Sequence, residues 1–250
     1  MIKNSFILLE KVGPRKEQAW WQSGIKDWQD FMKAGKVKGL AASTKSYYDR
    51  RIHEAQQALL KDDAAFFVGK LPAKETWRLY DYFKEETGFL DVEVDSHGKI
   101  IVVGISNYYQ TNTFVNGVNL EKNLLEKELS KYKVLVTFNG ASFDLPKLKK
   151  QLKVEFKGPH IDLKPLSVAL GLKGGLKEAE KRLGLKRPAH LYGNPVGLWK
   201  AFHASGDKEY LELLLDYNRE DCENLKQIME YVYKEKSNKI YKRMNKSKEL

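Results

Sequence analysis

The chain of 250 residues has a single cysteine, which excludes an intrachain disulfide framework and fits a reducing compartment. That residue, Cys222, lies beside Asp221 in a helical pattern and reads as a packed thiol, not a nucleophile. Long hydrophobic runs are missing too. The longest, Ile100 to Ile105, falls far short of the ~20 apolar residues that a membrane-spanning helix needs. Met1 to Leu9 carry neither the basic cluster nor the apolar stretch of a secretory signal. There is no internal repeat, and Gly174-Gly175 reads as a helix entry instead of a phosphate-cradling loop. The expectation is a cytoplasmic protein without membrane contact, its oligomeric state open, a homo-oligomer included.

Charge of one sign is in excess. The 44 Lys and Arg against 33 Asp and Glu leave +11, a balance that favours polyanions such as nucleic acid. The excess is concentrated: residues 147–187 hold 12 basic and 4 acidic side chains. This stretch opens with Lys147, Lys149 and Lys150 and closes with Lys181, Arg182, Lys186 and Arg187. It reads either as a groove that tracks phosphates or as the solvated faces of helices, and the groove is favoured. The tail from Lys234 to Leu250, with 7 basic and 2 acidic residues, continues a helix or forms an arm; either adds nonspecific nucleic-acid affinity.

Acids appear where a strand should be apolar. In Phe89-Leu-Asp-Val-Glu-Val-Asp95, period-two alternation puts Asp91 and Glu93 on one face and Leu90, Val92 and Val94 on the other. Burying that anionic pair alone would cost several kcal/mol, so a divalent cation would account for it. A solvent-facing edge strand with ordinary acids fits this segment equally well. Two further segments shift the balance. After the strand-like Val134 to Phe138, Asn139-Gly-Ala-Ser-Phe-Asp-Leu-Pro146 turns the chain and presents Asp144 at a helix start, where Pro146 loses nothing by lacking an N–H. Near the end, Tyr217-Asn-Arg-Glu-Asp221 places a phenol and a carboxylate four residues apart on one helix face.

The ordered set Asp-x-Glu, Asn-x-x-x-Phe-Asp and Tyr-x-x-x-Asp, spanning about residues 87 to 235, resembles the three motifs of the DEDD 3′–5′ exonucleases in their tyrosine (DEDDy) form. Asn139 to Pro146 and the amino-terminal segment look closest to the YprB-like branch of ribonuclease H-like proteins. The resemblance implies hydrolysis of phosphodiester bonds with two Mg2+ or Mn2+ ions, releasing nucleoside 5′-monophosphates. An all-oxygen donor set without Cys or His agrees with such hard cations and not with zinc. By the same resemblance Asp91 bridges the ions, Glu93 and Asp221 complete one ion's site, Asp144 helps hold the other, and Tyr217 orients the attacking water. Asn139 joins the basic residues as a nucleic-acid contact. With an ordinary pKa near 10, a tyrosine is better suited to positioning than to taking a proton at neutral pH.

The expected fold is α/β: a ribonuclease H-like mixed sheet flanked by helices, its first three strands antiparallel, preceded by a small helical arm. The expected divisions are a helix-hairpin-helix-like segment at 1–34, a helical linker region at 35–86, the exonuclease domain at 87–235 and a basic tail at 236–250. Phe6 to Phe31 read as two short helices broken at Ser23-Gly24, with Asp27 as the second N-cap; Lys11 stands where the resembled family has its first hairpin glycine. Trp20, Trp21, Trp28 and Phe31 read as local core. Ser43 to Leu60 reads as a helix capped by Ser43 or Thr44, and Thr76 to Phe83 as another. His97 is a turn residue, and Asp162, in the short strand His160 to Leu163, is structural. Single-stranded DNA is the first choice of substrate; an exoribonuclease and a non-catalytic nucleic-acid-binding module are the alternatives.

Overall fold

The computed structural model describes residues 1–191 and 193–245, which fall into two compact units. One comprises Met1–Lys84 together with the described residues from Tyr233 onward, the other Glu85–Val232.

In the first unit, helix α1 (Pro14–Gln22) starts only at Pro14. The helix expected from Phe6 is replaced by turns over 5–13, with Lys11 in the left-handed region at φ 60°. The cause is visible in the hydrogen bonds: the Phe6 N–H donates to the Glu17 carboxylate at 2.7 Å, a partner no helix would give it. The break at Ser23 and Gly24 and the Asp27 cap of α2 (Trp28–Lys33) are as expected, Asp27 Oδ1 accepting from the Asp30 amide at 2.9 Å. The tryptophans are core. Trp20 packs between Phe6 and Phe31, with ring centres 5.2 and 5.0 Å away. Trp21 and Trp28 bury their rings while their indole N–H groups reach the Asn4 and Ser5 carbonyls.

Helix α3 (Ala42–Leu60) begins one residue earlier than expected, behind Ala41, so Ser43 and Thr44 lie within its first turn and cap nothing. The α-helix expected over Thr76 to Phe83 is instead a 3-10 helix, Ala73–Leu79, followed by turns. Thr76 Oγ1 donates to the Ala73 carbonyl, a local side-chain bond that competes with the α-helical ladder. Arg78 emerges from it fully buried and grips both oxygens of Glu17 at 3.0 Å.

The second unit opens with three antiparallel strands, β1 (Thr87–Val94), β2 (Ile100–Ser106) and β3 (Thr111–Val115). Helix α4 (Lys122–Leu129) crosses to β4 (Val134–Thr137), parallel to β1. Then α5 (Asp144–Lys147), prolonged by a π-turn over Leu148–Leu152, leads to β5 (His160–Asp162), parallel to β4. The order β3-β2-β1-β4-β5 is the mixed sheet that the sequence pattern predicts. Helices α6 (Leu163–Val168), α7 (Leu176–Leu183, entered through Gly175) and α8 (Pro195–Ser205) follow. Helix α9 (Lys208–Asn245) runs 38 residues and takes in the basic tail as far as it is described; residues 246–250 lie outside the described residues.

The two faces of β1 have different fates. Leu90 and Val92 join Val103, Ile105, Leu135 and Leu148 in one apolar cluster. The other face carries Asp91 and Glu93, opposite Gly104 and Val102 of β2. Helix α9 lies so close to Gly104 that a Cβ there would stand 2.1 Å from Asn218 Oδ1 and 2.8 Å from Cys222 Sγ. Only glycine permits this approach. Cys222 is buried, as expected of a packed thiol. The β1–β2 turn closes on Asp95, whose Oδ1 accepts from the His97 and Lys99 amides at 2.8 and 2.9 Å, and His97 is indeed a turn residue.

Candidate active site

Strand β1 and helix α9 bring three carboxylates together: one oxygen from each of Asp91, Glu93 and Asp221 lies within 4.8 Å of the others. Asp91 is aimed by Asn218, whose Nδ2 donates to its Oδ2 at 2.8 Å. Asp144, 4% exposed, is the first residue of α5. It is placed by a turn with Asn139 at φ 70°. The turn is clamped from β5: Asp162 accepts the Asn139 amide at 2.8 Å, the Ala141 amide at 3.1 Å and the Lys164 amide at 3.0 Å, all backbone work. Asp162 is therefore structural. The Asn139 side chain accepts from Ser142 Oγ and shapes the same turn. Tyr217 is buried one turn before Asp221.

These acids are poor places for negative charge. Burial chiefly, then Glu93, Asp221 and Asp144, hold the Asp91 carboxyl well above the usual range, against the pull of the Asn218 hydrogen bond. Burial, with the charges of Asp221 and Asp144, pushes Glu93 up to about 8. Burial takes Asp144 to about 7, even with backbone hydrogen bonds opposing it, and Asp221 to about 6 against the charge of Arg187. Four hard oxygen donors in a buried site with too little positive charge fit divalent cations such as Mg2+ or Mn2+.

A pH dependence follows. These folded-state pKa values lie above the ~4 of unfolded carboxylates, so the native state binds more protons between about pH 4 and pH 8. The contribution of these carboxylates to the stability of the metal-free protein is then greatest below that window and falls as pH rises through it. In EDTA, Tm should be lower at pH 8.5 than at pH 5.5, with a smaller drop in Glu93→Gln. Excess Mn2+ should raise Tm far more at the higher pH. A Tm in EDTA that climbs from pH 5.5 to 8.5 would contradict the picture.

Among the described basic residues only Arg187 meets the carboxylates directly, through Asp221 Oδ1. Its Nε and Nη2 also bind both oxygens of Glu180 at 2.7 Å, and Asn224 Nδ2 reaches Glu180 at 3.2 Å. Lys147 is tied to the Gly98 carbonyl at 2.8 Å, Lys149 pairs with Glu155 at 3.0 Å, and Arg182 pairs with Glu178 at 3.0 Å. Lys150, Lys181 and Lys186 are exposed.

Sequence reasoning missed Asn218, Glu180, Asn224 and Lys177. One signal was available: Gly104, alone among β-branched residues in Ile100 to Ile105, marks a strand against which something packs closely. The partner facing it is Asn218.

Among the described residues no helix is long and apolar enough to cross a membrane. A comparison with curated proteins finds no match. The RNase_H_2 family model of the RNase_H superfamily matches residues 88–233, from the start of β1 through the part of α9 that carries Tyr217 and Asp221. With a mixed sheet of this order and an acidic triad on its first strand and last helix, the chain belongs to the RNase H superfamily.

Proposed function

We propose that the protein is a metal-dependent 3′–5′ exonuclease of the DEDDy type that hydrolyses single-stranded DNA to nucleoside 5′-monophosphates in the cytoplasm. The observation that carries this reading is the convergence of Asp91, Glu93 and Asp221, with Asp144 close enough to act on the first two and Tyr217 one turn away on α9. Asp91, Glu93, Asp144 and Asp221 would hold two Mg2+ or Mn2+ ions. Bound there, the ions supply a water of lowered pKa and stabilise the charge that develops at phosphorus.

The chain's own residues do the rest. Asn218 fixes the Asp91 carboxylate, and the Asp162 clamp fixes the turn before Asp144, so the ligands are preorganised. Tyr217 orients the attacking water by a hydrogen bond. Exposed Lys150, Lys181 and Lys186 offer phosphate contacts away from the carboxylates.

The test is a digestion of 5′-labelled single-stranded DNA and RNA, side by side, in Mg2+, Mn2+ or EDTA. Progressive shortening of DNA from the 3′ end with either metal and none in EDTA is expected. Faster loss of RNA would make it an exoribonuclease, and no cleavage in any metal would leave a binding module. In the same assay Tyr217→Phe should lower turnover on the order of 10–1000-fold with little change in DNA affinity. An unaltered rate would reduce Tyr217 to a packing residue.

A further inference from the structure

Two cations lie against the ring of Tyr217. Lys177 Nζ is 4.5 Å from its centre and the Arg187 guanidinium carbon 5.2 Å. Lys177 stands on α7, and Arg187 follows that helix by four residues; both charges reach Glu93. Among the described residues Lys177 is exposed and has no carboxylate within ion-pair distance.

Arg187 is fully bound on one edge and half bound on the other. Nε and Nη2 grip Glu180 side-on, Nη2 also touches Asp221, and Nη1 is buried with no partner among the described residues. A guanidinium nitrogen left unsatisfied in a buried site costs free energy unless a ligand accepts from it. That second edge, Nη1 with Nη2, is the fork that matches two oxygens of a phosphate once Asp221 lets go of Nη2. A divalent cation needs the Asp221 oxygen that Nη2 now shares. Glu180, itself held by Asn224, keeps the guanidinium in place when that oxygen is taken.

We propose that Lys177 and Arg187, stacked on Tyr217, seat the reacting phosphate beside the carboxylates, Arg187 giving up Asp221 and keeping Glu180. The proposal deepens the nuclease reading and rests on it for the identity of the substrate.

The experiment compares the full-length wild type, Lys177→Ala and Arg187→Gln in Mn2+, using two probes too small to reach a groove. Calorimetry follows binding of thymidine 5′-monophosphate, with thymidine as control, and absorbance follows hydrolysis of bis(p-nitrophenyl) phosphate. Each variant should weaken the monophosphate about 10–100-fold, as expected for a lost charged hydrogen bond, leave thymidine unchanged, and lower turnover of the small diester. Monophosphate affinity equal to wild type in both variants would overturn the seat, as would normal hydrolysis of the small diester by variants of an active enzyme. If the wild type cleaves nothing yet the variants lose the monophosphate, the seat stands and the nuclease reading falls. Lys177 is exposed, so its variant decides the matter even if Arg187→Gln fails to fold.

Discussion

Asp91→Ala should reduce cleavage about 1000-fold or more while the protein stays folded. Three other acids bear on the Asp91 carboxylate: Glu93, Asp221 and Asp144 all raise its proton affinity, on top of burial. Removing it deletes the ligand proposed to be central to metal binding, and contributions of that kind amount to several kcal/mol at the transition state. It also removes repulsion among the remaining acids, so the variant's Tm in EDTA at pH 8 should match or exceed that of the wild type. The two measurements belong together. Activity within about tenfold of wild type would dismantle the site, whereas a large loss of Tm would mean that the activity loss reflects unfolding.

Arg78→Ala should cost stability, not chemistry, by about 3–5 kcal/mol in urea unfolding. Arg78 and Glu17 have side chains only 3% and 2% exposed. Burial already raises the Glu17 carboxyl in the presence of Arg78, and the same carboxylate holds the Phe6 amide. Deleting the guanidinium strands a negative charge in the core of the first unit. Replacing both partners, Glu17→Met with Arg78→Met, should recover part of the loss, because the Glu17 charge is then gone too and only Glu75, which Arg78 Nε holds at 2.8 Å, loses its partner. A single-variant loss below about 1 kcal/mol would show that the pair is not the fastening it looks to be.

What could be read in the sequence was what local periodicity encodes. Alternation in β1 is a property of any strand, so Asp91 and Glu93 had to share a face; four-residue spacing on a helix likewise aligned Tyr217 with Asp221. Pro146 marked the helix that begins at Asp144. What could not be read depended on partners distant in the chain. Residues 5–13 look helical until Glu17 is seen to hold the Phe6 amide. Asn218 is one more polar residue on α9 until Gly104 lets the helix approach. Arg187 was counted among groove cations because nothing near it in sequence shows that Glu180 turns it inward. Thr76 to Phe83 kept helical spacing, but spacing does not distinguish the α-helix from the tighter 3-10 turns observed.

The tether between Lys147 and the Gly98 carbonyl bears on how the protein's charge should be counted. Gln151 Nε2 reaches that same carbonyl at 2.8 Å while its Oε1 takes the Ile100 amide at 3.0 Å, so Lys147 works as a clasp between α5 and the β1–β2 hairpin. Lys149 and Arg182 are engaged with carboxylates. A cation whose field is already cancelled by a neighbouring anion neutralises little phosphate charge, and so releases few of the counterions condensed on the polyelectrolyte. The formal charge of the 147–187 stretch therefore overstates its valence toward a single strand. The slope of log affinity on log salt, about 0.7 per phosphate neutralised, would report the smaller number.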